Sequence, residues 1–372
     1  MKQIFYELYQ EEPAVHVGAH GRVNLIGEHT DYNQGFVLPT PIPQTTRIWL
    51  AARNDRSAHL ASLNQSSGGR PPLFSFELGS EKPQGLWTDY VKGITKTLEE
   101  SGHPIGGFNL LISSDVPMGS APSSSAALGV GLAKGLIRLF RLDLNEVQIA
   151  RLAQRSENEF VGARVGIMDP LVVSAGRPGQ ALFIDTRSLD FRHIDLPLDD
   201  AELLVVNSGL VHRNNAGGYN QRRQECEEAC RILGLSSLRE LAVEDLSGLD
   251  RLPLLLRSRV RHVVTENARV LEAVTCLESK NVSRLGALFR ESHDSMKNDY
   301  QVSVPEIDFL VDQAFEDPRV YGARLTGGGF GGSIVALTRP GTSREVGRSL
   351  SEIYHQKTGL TATVLVPSPS AE

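Results

Sequence analysis

The stretch from Ser124 to Phe140 constrains this chain more than any other. Val130, Ala133, Ile137 and Phe140 form one apolar stripe at helical spacing. Leu128, Leu132, Leu136 and Leu139 form another. A helix that is apolar on two sides must be covered on two sides, so it belongs between layers. It also carries Gly129, Gly131 and Gly135. Each glycine costs about 1 kcal/mol in a helix interior, a cost that close backbone approach to a neighbouring element would explain.

What opens this helix matters as much as what covers it. Gly119-Ser120-Ala121-Pro122-Ser123-Ser124-Ser125-Ala126 leads from a short apolar run into its first turn. A helix N-terminus presents free N–H groups and partial positive charge, so it suits an anion. One serine suffices for a cap, whereas three hydroxyls can also donate to phosphate oxygens or coordinate Mg²⁺. The loop is not a Walker A motif, because no Lys-Ser or Lys-Thr follows.

A second helix is expected from Asn145 to Val161, with Asn145 as its N-cap. Glu157 falls on the stripe of Ala150, Ala153, Phe160 and Val161. A carboxylate there needs a partner. A structural ion pair and a metal ligand are equally open on the pattern alone.

Two further segments concentrate functional chemistry. Gly327-Gly328-Gly329-Phe330-Gly331-Gly332 contains G-x-G-x-x-G, but the following Ser333–Thr338 reads as a strand, which excludes a dinucleotide fingerprint. Its five glycines are expected to let backbone approach a ligand or another part of the chain. Near the N-terminus, Gly21-Arg22-Val23-Asn24-Leu25-Ile26-Gly27-Glu28-His29-Thr30-Asp31-Tyr32 passes from apolar residues to a dense polar cluster. Glu28, His29 and Asp31 supply donors and acceptors at one loop, as a polyhydroxylated ligand requires.

The remaining text changes character near residue 196, where a domain boundary is expected. Before it lie the strand-like runs Thr45–Ala51, Leu73–Phe76 and Phe108–Ser113, and an exposed loop expected over Leu60–Pro72. After it come a short strand (Leu203–Asn207) and helices at Tyr219–Leu233, Val260–Leu277, Val282–Met296 and Ile307–Phe315. The tail reads strand, glycine loop, strand, helix, strand. Helices grouped with antiparallel strands argue α+β. At 372 residues, two domains are expected.

Composition bounds the function. The net charge of −6 disfavours a nucleic-acid surface or an anionic-membrane anchor. No apolar run approaches the ~20 residues of a membrane span, and the first twelve residues lack signal-peptide character. Three cysteines make no disulfide framework. Cys226 and Cys230, one helical turn apart, read as half-buried thiols rather than a zinc site. These features together suggest a cytoplasmic protein that binds neither nucleic acid nor membrane.

These segments together resemble the GHMP small-molecule kinase superfamily, and within it the galactokinase family. Gly21–Phe36 is similar to that family's sugar signature, Gly119–Ala127 to its phosphate loop and Leu325–Gly332 to its third motif. Trp87–Gly93, Gly166–Asp169, Tyr219 with Arg222-Arg223, and Ser292–Ser295 follow in the same order. The resemblance implies a two-domain α+β fold: an N-terminal α/β domain over residues 1–195 and a C-terminal ferredoxin-like α+β domain over 196–372. It implies transfer of the γ-phosphoryl of ATP to the C1 hydroxyl of D-galactose by a monomer. Asp169 would be the base and Arg22 its charge-stabilising partner. Glu28, His29, Asp31, Gly166 and Tyr219 would hold the sugar. Gly119, Ser120, Ser123, Ser124, Ser125 and Trp87 would hold the nucleotide, and Ser124 and Glu157 would bind Mg²⁺. Ala121-Pro122, His20, Val165 and Pro170 depart from the family pattern. The alternatives are a sister kinase for galacturonate, arabinose or N-acetylgalactosamine, and a non-catalytic sugar sensor.

Overall fold

The computed structural model describes residues 1–66, 69–117, 123–197, 199–210 and 215–366. Contacts divide the chain into two compact units. One comprises residues 1–21, 44–118 and 123–175; the other comprises 22–43, 119–122 and 176–372.

The first unit is built on a mixed five-stranded sheet, ordered Val15–Asn24, Pro39–Ala52, Phe108–Ser114, Ser57–Ser62, Leu73–Glu77. Pro39–Ala52 runs antiparallel to Phe108–Ser114, with Ile48 opposite Ile112. Ser57–Ser62 runs parallel to Phe108–Ser114, with Leu60 opposite Leu110. This strand corrects the loop expected from Leu60: Leu60 and Ala61 are fully buried. Ser-Ala-His-Leu-Ala-Ser is too polar to announce a strand, and the ladder formed with a partner 50 residues away decides it.

The helix expected at Ser124–Phe140 is present over that range. It packs against the helices Thr88–Glu100, Glu146–Arg155 and Met168–Ala175. Gly131 and Gly135 face the sheet, whereas Gly129 faces Ala153 and Ile94 of the neighbouring helices. A β-carbon on Gly131 would lie 3.0 Å from Ala19 and from Ile48, and one on Gly135 would lie 2.5 Å from Leu50. Covered on both sides, the helix runs close against the sheet because it has no side chain there. Asn145 caps the next helix: it accepts from the Gln148 amide at 3.0 Å while Gln148 accepts from the Asn145 amide at 2.8 Å. That helix widens to π-helical geometry at Ser156–Val161, the turn that holds Glu157.

The second unit contains a four-stranded antiparallel sheet, ordered Val320–Thr326, Ser333–Thr338, Glu202–Asn207, Thr363–Val366. Leu204, Val206, Ile334 and Ala336 enter one apolar core, while Val205, Val335 and Leu337 enter another. Alternate residues thus feed cores on opposite faces, as expected of a strand buried on both sides. The helices Leu254–Glu278 and Val282–Ser295 supply the second core with Val270, Val274, Leu285 and Phe289. Val23, Leu25, Ile26, Leu38 and Ile42 join that core, which is why residues 22–43 group with the C-terminal part of the chain. Among the described residues, no helix is long and apolar enough to cross a membrane.

Candidate active site

The first unit gathers two carboxylates and the serine turn. Ser123 precedes the helix with φ 57°, a left-handed conformation that a non-glycine residue adopts at a cost. It does not cap the helix with its side chain. Its hydroxyl instead donates to Asp169 Oδ2. Asp169 sits in the first turn of Met168–Ala175, and half-buried Gly166 lies just before that helix. Glu157 is buried, and its carboxyl is pushed up to about 7. Burial dominates, the Ser125 hydroxyl pulls it back, and the nearby charge of Asp169 raises it further.

Trp87, half-buried, packs edge-on against Phe74 at 5.7 Å. Its indole Nε1 is buried and meets no acceptor among the described residues. The turn before it is gathered by Asp89, which accepts from the amides of Gln84 and Gly85 at 2.7 Å and of Leu86 at 3.3 Å. Gly119 and Ser120, with the Ala121-Pro122 departure, lie outside the described residues.

Glu157, Asp169 and the hydroxyls of Ser123 and Ser125 form an oxygen-only donor set. That set suits a hard divalent cation such as Mg²⁺, which takes one or two carboxylates from protein and completes its shell with water and phosphate oxygens. Among the described residues no three His, Cys, Asp or Glu side chains cluster as a metal cage.

The second unit holds the polar cluster near the N-terminus. Arg22 and Glu28 are buried, and His29 is 4 % exposed. Gly27 has φ 103°, and a β-carbon there would lie 2.7 Å from the Phe36 carbonyl oxygen, so the turn requires glycine. His29 follows with φ 62°. Its Nδ1 lies 2.8 Å from the Tyr32 hydroxyl, which lies 2.8 Å from the Tyr300 hydroxyl. Tyr219 packs on both His29 and Tyr32. Burial pushes the His29 imidazole down to about 3, so the ring is neutral. Asp31 Oδ1 accepts from the Tyr32 amide at 2.9 Å.

Glu28 is held from several directions. It accepts from the Gly327 amide at 2.9 Å and stands 3.5 Å from Arg324 Nη1. Burial raises its carboxyl, opposed by Arg324. The glycine loop is the connection of an antiparallel hairpin, with Thr326 opposite Ser333. Gly327, Gly329, Gly331 and Gly332 all have positive φ.

Arg22 belongs to the second unit and Asp169 to the first. The structure brings together Ser123 with Asp169, Ser125 with Glu157, and His29 with Tyr219. It also reveals residues that sequence reasoning missed: Glu266, Arg324, His262 and Tyr300, all buried beside the sugar signature. Glu266 carried the signal that flagged Glu157, a carboxylate on an apolar stripe with Val263 and Val270. Cys226 corrects an expectation too. It is 2 % exposed rather than half-buried, with Sγ 3.1 Å from the Tyr300 hydroxyl, and burial pushes the thiol up to about 12.

Comparison with known proteins adds an independent line. The family described as the galactokinase galactose-binding signature matches residues 3–52, the GHMP kinase N-terminal domain residues 89–177, and the GHMP kinase C-terminal domain residues 273–356. A galactokinase of Roseiflexus sp. (strain RS-1) is 42 % identical over 98 % of this chain and 94 % of that protein. A galactokinase of Haemophilus influenzae (strain PittEE) is 41 % identical, covering 99 % and 97 %. The crystal structure of Lactococcus lactis galactokinase complexed with galactose superposes with a TM-score of 0.92 at 32 % identity, covering 98 % of this chain and 95 % of that one. A mevalonate kinase, at 20 % identity and TM-score 0.66, shares the fold.

Proposed function

This chain belongs to the galactokinase family of the GHMP kinases, and from that premise we propose how its residues share the transfer of the γ-phosphoryl group of ATP to the C1 hydroxyl of D-galactose. The chain is a sugar kinase. The C1 oxygen forms a bond to the γ-phosphorus, the bond from that phosphorus to the ADP oxygen breaks, and the proton of the C1 hydroxyl leaves to a base.

Asp169 is that base. The observation that carries the assignment is the hydrogen bond from Ser123 to one of its oxygens, made by a residue held in a left-handed conformation. The bond orients the carboxylate for its role as proton acceptor. Arg22 stabilises the charge that builds on the transferring group. Glu28, His29, Asp31, Gly166 and Tyr219 hold the sugar hydroxyls. A neutral His29 offers one donor and one acceptor nitrogen, and its contact with Tyr32 orients the ring.

Gly119, Ser120, Ser123, Ser124, Ser125 and Trp87 bind the nucleotide, with helix-terminal amides and hydroxyls on the phosphates. Ser124 and Glu157 hold Mg²⁺, which when bound neutralises phosphate charge. The raised carboxyl of Glu157 supports this reading, because an adjacent cation would relieve its repulsion from Asp169. Three free thiols support a cytoplasmic location, and we take the working enzyme to be a monomer.

A coupled ADP-release assay with Mg-ATP over a sugar panel tests the reading. Turnover is expected with D-galactose and to fall sharply with D-galacturonate, whose carboxylate meets the acidic pair Glu28 and Asp31. Comparable kcat/KM for galacturonate, arabinose or N-acetylgalactosamine would overturn the substrate assignment. Galactose binding without ADP release would identify a sensor instead.

A further inference from the structure

The segment from Asn24 to His29 leaves its strand, turns through two left-handed residues and carries Glu28 and His29. Its main chain is hydrogen-bonded chiefly to side chains that come from far along the sequence. We propose that Glu266 and Arg324 are positioning residues that set the pose of this segment for galactose. The inference rests on reading Glu28 and His29 as sugar-contacting.

Glu266 stands on the helix Leu254–Glu278 and is fully buried. Its Oε1 accepts from the Gly27 amide at 2.9 Å and from the Ser292 hydroxyl at 2.7 Å. Its Oε2 accepts from Arg269 Nε at 2.7 Å. Arg324 stands on the strand Val320–Thr326 and is also fully buried. Its Nη1 donates to the carbonyls of Leu25 at 2.8 Å and Asn24 at 3.2 Å, and lies 3.5 Å from Glu28 Oε1. Its Nη2 lies 3.8 Å from Glu266 Oε1. His262 adds a third strap, with Nε2 3.1 Å from the Glu28 carbonyl oxygen.

Side chains thus grip four backbone groups in five residues: the carbonyls of Asn24, Leu25 and Glu28, and the amide of Gly27. Two carboxylates, Glu28 and Glu266, face two guanidiniums, Arg324 and Arg269. Burying four charges is a poor way to gain stability, since apolar residues of similar volume often serve as well or better. It is a good way to fix directions, because each bond has one geometry. Arg324 is shared between the carboxylates. Without the Glu266 charge it is drawn to Glu28, and the Glu28 side chain turns away from the sugar.

The test compares Glu266→Gln, Arg324→Lys and Glu28→Gln with the wild type. Galactose Kd is read by calorimetry, both KM values and kcat by turnover, and Tm by thermal melting. Glu266→Gln keeps an acceptor for Gly27 but removes the charge. Arg324→Lys keeps the charge but cannot span both carbonyls and both carboxylates. Each is expected to raise galactose Kd and KM about tenfold or more, with ATP KM within about twofold and kcat within about threefold. A merely structural role would lower Tm and the active fraction without moving Kd, which calorimetry reads on the folded molecules. Should Arg324→Lys fail to fold, the near-isosteric Glu266→Gln decides alone. Galactose Kd unchanged in Glu266→Gln overturns the proposal, provided that Glu28→Gln weakens galactose binding. If Glu28→Gln also leaves it unchanged, the sugar-site reading itself falls, and the positioning role falls with it.

Discussion

Two buried clusters of carboxylates in this molecule are solved in opposite ways. Around Glu28 and Glu266, each carboxylate has a guanidinium within 4 Å, and burial is opposed by Arg324 and Arg269. Although burial alone would raise it, the Glu266 carboxyl ends well below its ordinary range because those arginines, with His262, outweigh it. Around Glu157 burial dominates, the second carboxylate Asp169 adds to it, and the Glu157 carboxyl rises to about 7. The first cluster sets its carboxylates against guanidiniums and acts as scaffold. The second sets two carboxylates against each other, and a bound cation would relieve that repulsion.

The largest expected effect comes from removing the base. Asp169→Asn should cut kcat by about 10²–10⁴-fold, the usual worth of a positioned base. Galactose Kd by calorimetry should remain measurable. Turnover within a few-fold of wild type would end the base assignment and with it the contrast between a working cluster and a scaffold.

The two clusters should also answer pH in opposite directions. His29 and His262 are held down to about 3 and about 4, chiefly by burial. The unfolded chain therefore binds more protons than the folded one below the ordinary histidine value of ~6.5. Stability present above that pH should be lost on acidification, by up to ~1.4 kcal/mol per pH unit for each histidine. Urea titrations at pH 7, 6 and 5 read this loss. A slope that His262→Asn leaves unchanged would remove His262 from the account.

Glu157 works the other way in the nucleotide-free protein. Its folded pKa lies above the unfolded value of ~4.3, so its contribution is complete below that pH and is lost as pH rises through about 7. Glu157→Gln should thus gain stability over wild type as pH rises from 4.5 to 7, reaching on the order of 3 kcal/mol. It should also raise the Mg²⁺ concentration needed for half-maximal activity. A stability difference that is flat with pH would show that Glu157 is already balanced, which would erase the difference between the clusters.

The smallest effect sharpens the scaffold side. Tyr32→Phe removes the hydroxyl that lies between His29 Nδ1 and the Tyr300 hydroxyl. About 1 kcal/mol of stability should be lost, and galactose KM should rise several-fold with ATP KM unchanged. An unmoved galactose KM would mean that His29 is oriented by packing on Tyr219 and Tyr300 alone.

Much of the site was legible because its chemistry is local. Three serines at the head of a two-sided helix suggest an anion site, and the helix lies where its periodicity places it. Glu157 was marked by a charge on an apolar stripe. Arg324 was not, because one arginine between Ala323 and Leu325 on a short strand has no pattern to violate. The Ser57–Ser62 strand was hidden for a similar reason: its order comes from parallel pairing with Phe108–Ser114, not from its own alternation.

By itself the amino-acid sequence determined what depends on neighbours a few residues apart. That covers the helical stripes, the Asn145–Gln148 capping box, the glycines that allow positive φ, and the groups available for phosphoryl transfer. Tertiary structure alone decided which distant groups meet: Glu266 with the Gly27 amide, and Arg324 with the Leu25 carbonyl across 299 residues. Ion pairing and desolvation depend on distance and burial in space, and periodicity along the chain encodes neither. For that reason Glu266 and Glu157, both carboxylates on apolar helical stripes, end shifted in opposite directions.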